Sequence, residues 1–181
     1  VEIATAKRAT YAYKINALGA FLSNTLPDSA NNLIISKVQL INLLDQTMPG
    51  ITRILDLRSR DPERCALLLF IKRFHSFDEI RRIGKHRFLS AYETLMKKTP
   101  DRFAPKKGLV IYESACNSIT TRGSDPYIWT AQDQCVDMLA AAQNAADETI
   151  HQMQEIAETI PEYKVLRAMN GVGERLGPII L

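Results

Sequence analysis

Residues 124–160 read SDPYIWTAQDQCVDMLAAAQNAADETIHQMQEIAETI, and this stretch decides the fold. Trp129, Gln132, Val136, Leu139, Gln143, Ala146, Ile150, Met153, Ala157 and Ile160 recur at alternating steps of three and four residues. A repeat of about 3.5 residues keeps one stripe of an α-helix turned towards a partner, so the spacing is the seam of a coiled coil. Asp125-Pro126 starts the helix, with a capping acid followed by proline in the first turn, and Pro161 breaks it. The expected rod is roughly 50 Å long at about 1.5 Å per residue. Gln132 and Gln143 lower the stability of the seam and fix its register. The partner is either the first helices of the same chain or a second chain. In a homodimer, Trp129, Val136, Leu139, Ile150 and Met153 make the contact.

Upstream, apolar residues keep the helical period. Tyr11, Ile15, Leu18 and Leu22 give residues 4–25 one apolar face. Pro27 interrupts the pattern, and Asp28 or Ser29 can cap a second helix. There Ile34, Val38, Ile41 and Met48 share a stripe that Leu33, Leu40 and Leu44 widen, until Pro49-Gly50 ends it. Both a helical hairpin and one long kinked helix satisfy this pattern. Short helices come next, between clear signals: 51–57, then Asp61-Pro62 as a start, 65–74, 77–83 capped by Ser76 and closed by Gly84, and 85–98 ended by Thr99-Pro100. The last, 106–120, is expected to turn Leu109, Tyr112, Cys116 and Ile119 inward. The chain therefore divides into a helix pair (1–50), a small helical bundle (51–123), the coiled-coil helix (124–160) and a tail (161–181). The class is all-α.

Composition narrows the function. The 181 residues are 46% hydrophobic and 24% charged, with 8 Gly and 8 Pro, which suits a folded domain. The net charge is only +3, but it is unevenly spread: residues 72–107 hold eleven Lys and Arg against four acids, and 124–162 hold eight acids and no Lys or Arg. A basic segment suits phosphates, since neutralising them releases counterions. Arg81, Arg82, Lys85, Arg87, Lys106 and Lys107 are the candidate phosphate contacts. Cys65, Cys116 and Cys135 are far apart, with no zinc-ligand spacing, and read as buried thiols of a reducing cytosol. No apolar run is long enough to span a membrane. His75, His86 and His151 stand apart without partners at catalytic spacing, and no nucleotide-binding glycine loop occurs. No catalytic residue and no metal site is assigned, and the acids of the long helix read as a solvated face.

The tail carries a motif. Leu166, Met169, Gly171-Val172-Gly173, Gly177 and Ile180-Leu181 follow the pattern of a helix-hairpin-helix. Its glycines let the backbone approach a phosphate, and the helix expected from Glu174 aims its N–H groups at the same point. Gly171, Gly173 and Arg175 are the candidate contacts, and they read the backbone, not the bases. Pro178 departs from the pattern.

Three blocks resemble one family. These are Asn31-Asn32-Leu33 with Leu43 to Gly50; Lys106 to Cys116; and Ile160-Pro161-Glu162-Tyr163 through Gly171-Val172-Gly173 to Leu176-Gly177-Pro178. Together they resemble the DEDD, Piv/MooV-like insertion-sequence transposases, the recombinases guided by a bridge RNA. The resemblance covers most of 28–181. It implies a cytoplasmic, nucleoid-associated bacterial protein active in DNA transposition and recombination, with DNA and a structured guide RNA as partners and a homodimer held by the coiled coil. It also implies catalysis elsewhere: four acidic ligands for a divalent metal in a RuvC-like domain, and a nucleophilic serine in a C-terminal domain. None of these matches a position here, and Ser114, Ser118 and Ser124 do not correspond to that serine. The competing expectation is a helical oligomerisation module with no nucleic-acid contact.

Overall fold

Pro27 lies in mid-helix, and the chain passes it without breaking. The computed structural model describes residues 2–57, 62–97 and 105–181, with side chains described throughout except at 2–9, 11, 63 and 105. The start signal at Asp61, the stop at Thr99-Pro100 and the side chain of Tyr11 lie outside the described residues. Helix α1 (Glu2–Ala20) runs through a π turn (Phe21–Thr25) into α2 (Leu26–Thr47), so one continuous helical run forms and not a hairpin. Proline has no N–H to give to the carbonyl four residues back and crowds it. Just ahead of Pro27, the Leu26 N–H donates five residues back, to Phe21 O. This wider turn absorbs the fault that a regular α-helix cannot.

Gly50, at φ 77°, turns the chain into α3 (Ile51–Ile54). A 3-10 turn (Pro62–Arg64) leads to α4 (Ala66–Arg73), α5 (Phe77–Ile83), α6 (Lys85–Met96), α7 (Pro105–Asn117), α8 (Pro126–Glu158), α9 (Pro161–Arg167) and α10 (Gly177–Ile180). Among the described residues there is no strand, and the fold is all-α. No helix of the described residues is long and apolar enough to cross a membrane.

The chain forms two compact units: a central one, Leu33–Gln143, and a terminal one, Val1–Asn32 with Asn144–Leu181. In the central unit Leu40 and Leu44 of α2, and Met48 just after it, join Phe70, Phe74, Phe77, Phe88, Ile111, Val136 and Leu139 in one core. Ile34 and Val38, expected inside, are 58% and 51% exposed. Helix α7 is turned likewise: Gly108, Ile111 and Ala115 are buried and Tyr112 packs half-buried against the core as expected, while Leu109 and Cys116 face water, as does Ile119 just beyond the helix. The reason is steric. A β-carbon on Gly108 would sit 2.8 Å from the Tyr92 ring, so the small residue marks the closest approach of α6. In the terminal unit Leu18, Met153 and Ile160 form a small core, flanked by Phe21, Leu22, Ile156 and Leu181.

The seam of α8 thus has partners inside the chain. Val136 and Leu139 belong to the central core and Met153 to the terminal one. Trp129 and Ile150 are half-buried. Of the five side chains expected at a dimer contact, Val136, Leu139 and Met153 are thus buried within one copy. Buried Gln132 donates to Thr47 Oγ1 of α2 at 2.5 Å, which places α2 and α8 in one register.

Candidate nucleic-acid interface

Helix α5 begins with Ser76, whose hydroxyl accepts from the Glu79 N–H at 3.1 Å, and ends at Gly84, where φ is 84°. That positive φ suits glycine, and α6 starts at the next residue. The corner sets Arg82, at the end of α5, close in sequence to Lys85, His86 and Arg87, in the first turn of α6. Lys85, His86 and Arg87 are exposed, as is Ile83's neighbour Arg82. Helix α6 has no acid in that turn and no side-chain cap. Helix α7 also opens without an acid, with exposed Lys106 and Lys107 in its first turn. Cations at a helix N-terminus oppose its dipole, at a cost of about 0.3–1 kcal/mol each when exposed. Among the described residues no carboxylate pairs with Arg82, Lys85, Arg87, Lys106 or Lys107. Two helix starts are thus positively charged twice over, by side chains and by backbone.

The two helices run in opposite directions. The Lys85 backbone faces the hydroxyl of Tyr112, midway along α7, and Tyr92 lies against Gly108, early in it. The two basic starts therefore lie towards opposite ends of the pair.

Arg81 does not belong to this surface. Its guanidinium donates to the carbonyls of Ala115 (2.6 Å) and Ser118 (3.0 Å) and pairs with Asp78. It closes the C-terminal end of α7, where unpaired carbonyls attract a cation. Asp78, which the sequence did not mark, is the hub of this region. It accepts from Thr120 Oγ1 at 2.9 Å and Ser124 Oγ at 3.1 Å as well as from Arg81. Burial pushes its carboxyl up, but the bonds from Thr120, Ser124 and Arg81 and the charge of Arg81 outweigh burial and hold it below the ordinary carboxylate range. The signal available in the sequence was the Asp78–Arg81 spacing of three on a helix.

His75 also has partners the spacing hid. Its ring stacks on Trp129 with centroids 5.4 Å apart, and Nε2 lies 3.3 Å from Asp133. Its backbone N–H donates to Glu79 at 3.0 Å. The cluster joins the α4–α5 connection to α8. Among the described residues no group of three or more His, Cys, Asp or Glu is placed to hold a metal ion. Of the cysteines, Cys65 alone is buried; Cys135 is half-buried and Cys116 exposed, so the expectation of three buried thiols fails for Cys116.

The tail differs from the motif. Gly171 turns at φ 88°, and Gly171 and Gly173 are exposed. However, the next helix begins at Gly177, not Glu174, and is four residues long. Pro178 in its first turn and the Tyr163 ring against Gly177 set that start. The N–H groups expected to meet a phosphate beside the glycines are therefore not on a helix. Arg175 pairs with Asp147 of α8, and Arg167 with Glu174 at 3.3 Å. Gln154 holds Glu174 O at 2.9 Å. The tail lies on the acidic half of α8, and Arg175 is engaged there, not open to phosphate.

No family model, curated protein or solved structure matches the chain.

Proposed function

We propose that the chain is a nucleic-acid-binding helical region that positions the catalytic parts of a DNA transposase or recombinase of the DEDD, Piv/MooV-like type. The observation that carries the reading is the pair of basic helix starts. Lys85 and Arg87 on α6, and Lys106 and Lys107 on α7, add side-chain charge where the backbone is already positive, with no acid in either first turn to balance them. An arrangement that costs stability in the free protein is offset when a polyanion binds. The order of the three sequence blocks, with an all-α architecture between them, supports the transposase reading. In it the divalent metal and the reacting serine belong to other segments, and DNA or a structured guide RNA is the ligand.

The test is binding to labelled duplexes of unrelated sequence across a salt series. The affinity falls linearly on a log scale as salt rises. Reversal of two charges, Lys85→Glu with Arg87→Glu, lowers affinity about equally on every sequence and reduces the salt slope by about two. An unchanged affinity removes this face from the proposal.

A second reading, oligomerisation, is favoured by Ile34, Ile35 and Val38, which are more than half exposed on α2. Light scattering on the chain with Ile34→Ser and Val38→Ser separates the two: a dimer that becomes a monomer supports it.

A further inference from the structure

We infer that the loop between α7 and α8 is a second contact within the same interface, which takes unpaired bases against Ile119 and Tyr127. The inference rests on the nucleic-acid reading above and extends it from charge to base recognition.

Ile119 is 89% exposed and Tyr127 85%, the two most exposed large apolar side chains among the described residues. One exposed apolar residue is ordinary. Here two stand at the ends of a loop that is braced from several sides. The backbone N–H groups of Thr121 and Arg122 both donate to Gln46 O, at 3.1 and 3.2 Å. Thr120 and Ser124 donate to Asp78. Trp129 Nε1 donates to Gly123 O at 3.1 Å, and a β-carbon on Gly123 would collide with the Asp78 carboxylate. A loop held in this way keeps Ile119 and Tyr127 in water although neither contributes to a core. Preorganised apolar groups of this kind suit a ligand that brings flat, weakly hydrated faces.

Charge selects the ligand. Of the acids around the loop, Asp78 and Asp125 are engaged by Arg81 and Arg122, and Asp45, beside Gln46, is exposed. The loop's neighbour is the basic corner. Arg81, bonded to Ser118 O, brings the end of α5 onto the loop, and exposed Arg82 follows it in the chain. A phosphate held by Arg82 therefore lies on the loop side of the basic corner. Bases in a paired stack keep their faces covered, and bases in a bulge, gap or single strand do not. An apolar wedge and an aromatic ring are the groups that hold such faces.

The experiment compares a fully paired duplex with the same duplex carrying a bulge that contains 2-aminopurine, by anisotropy and by the fluorescence of the probe base. The wild-type chain binds the bulged ligand roughly tenfold more tightly, in line with one or two stacked bases, and changes the probe signal. Ile119→Ser with Tyr127→Ser abolishes both the preference and the signal change, and leaves affinity for the paired duplex within about twofold. Both side chains are exposed, and an unchanged thermal melting curve confirms the fold. Equal wild-type affinity for the two ligands, or a preference that survives the double substitution, overturns this inference and leaves the charge-based reading in place. Failure of the wild type to bind either ligand removes both.

Discussion

Helix α8 is buried on one face in both compact units, but against different material. In the central unit it meets a core built on aromatic rings. Phe70 lies 5.1 Å from Phe74 and 6.3 Å from Phe88, in tilted and edge-on contacts, and all three are fully buried. In the terminal unit it meets Leu18, with Met153 and Ile160 packed beside it. There Val165, Met169 and Ile180 remain half or more exposed, and the tail is held by the part-exposed Arg175–Asp147 pair. Apolar burial scales with area, whereas exposed ion pairs are worth about 1 kcal/mol or less. The burial therefore favours the central unit as the more stable of the two. The open cations Arg82, Lys85, Arg87, Lys106 and Lys107 stand on the unit with the larger core.

The widest separation is expected from core truncation. Phe70→Ala lowers unfolding free energy by about 3–5 kcal/mol, measured by urea denaturation. Met153→Ala costs less, about 2 kcal/mol, and hydrogen exchange then quickens in 144–181 before it quickens in α4 to α7. Equal costs and uniform exchange would erase the contrast between the units.

A smaller effect separates two glycines, one from each unit. Gly123→Ala pushes a methyl group into the Asp78 carboxylate and costs about 1–3 kcal/mol, the range for overpacked sites. The same change at Gly173, where a β-carbon has open space, is expected to cost under about 1 kcal/mol. Thermal melts of the two variants decide it; equal melting temperatures would mean that the loop gives way.

The smallest effect is in pH. The carboxyl of Asp78 is depressed in the folded chain. Its contribution is therefore complete above the ordinary carboxylate range, about pH 4, and is lost as pH falls through its lowered value. Asp78→Asn is less stable than the wild type at neutral pH, and the gap closes in acid. A gap that stays constant with pH would show that Asp78 acts through packing alone.

Local signals carried most of the helix limits. Ser76 and Gly84 bound α5, Asp125-Pro126 starts α8 and Pro49-Gly50 comes just after α2, because caps and breakers act over one turn. The misreadings are those that needed a distant partner. Arg81 reads as a surface cation until the carbonyls of Ala115 and Ser118, more than thirty residues later, come within its reach. Gly108 and Ala115 carry little hydrophobic signal, yet they lie on the buried face of α7, so a stripe drawn through Leu109 and Ile119 falls on the wrong side. The seam of α8 shows that a partner is required, not which chain supplies it. In the tail, Pro178 was the visible departure from the motif, and it stands where the helix starts late.

The π turn at Phe21–Thr25 makes the chain sensitive to insertions and deletions at one place. It holds one residue more than the α-helical turn it replaces, so it works as a phase adjuster for everything before it. Removing one residue there would rotate residues 2–20 by about 100° around their axis and leave Pro27 without the wide turn that accommodates it. Leu18, now buried beside Met153, would swing off the terminal core although every residue type in α1 stayed the same. The length of this one turn is thus under tighter constraint than its composition.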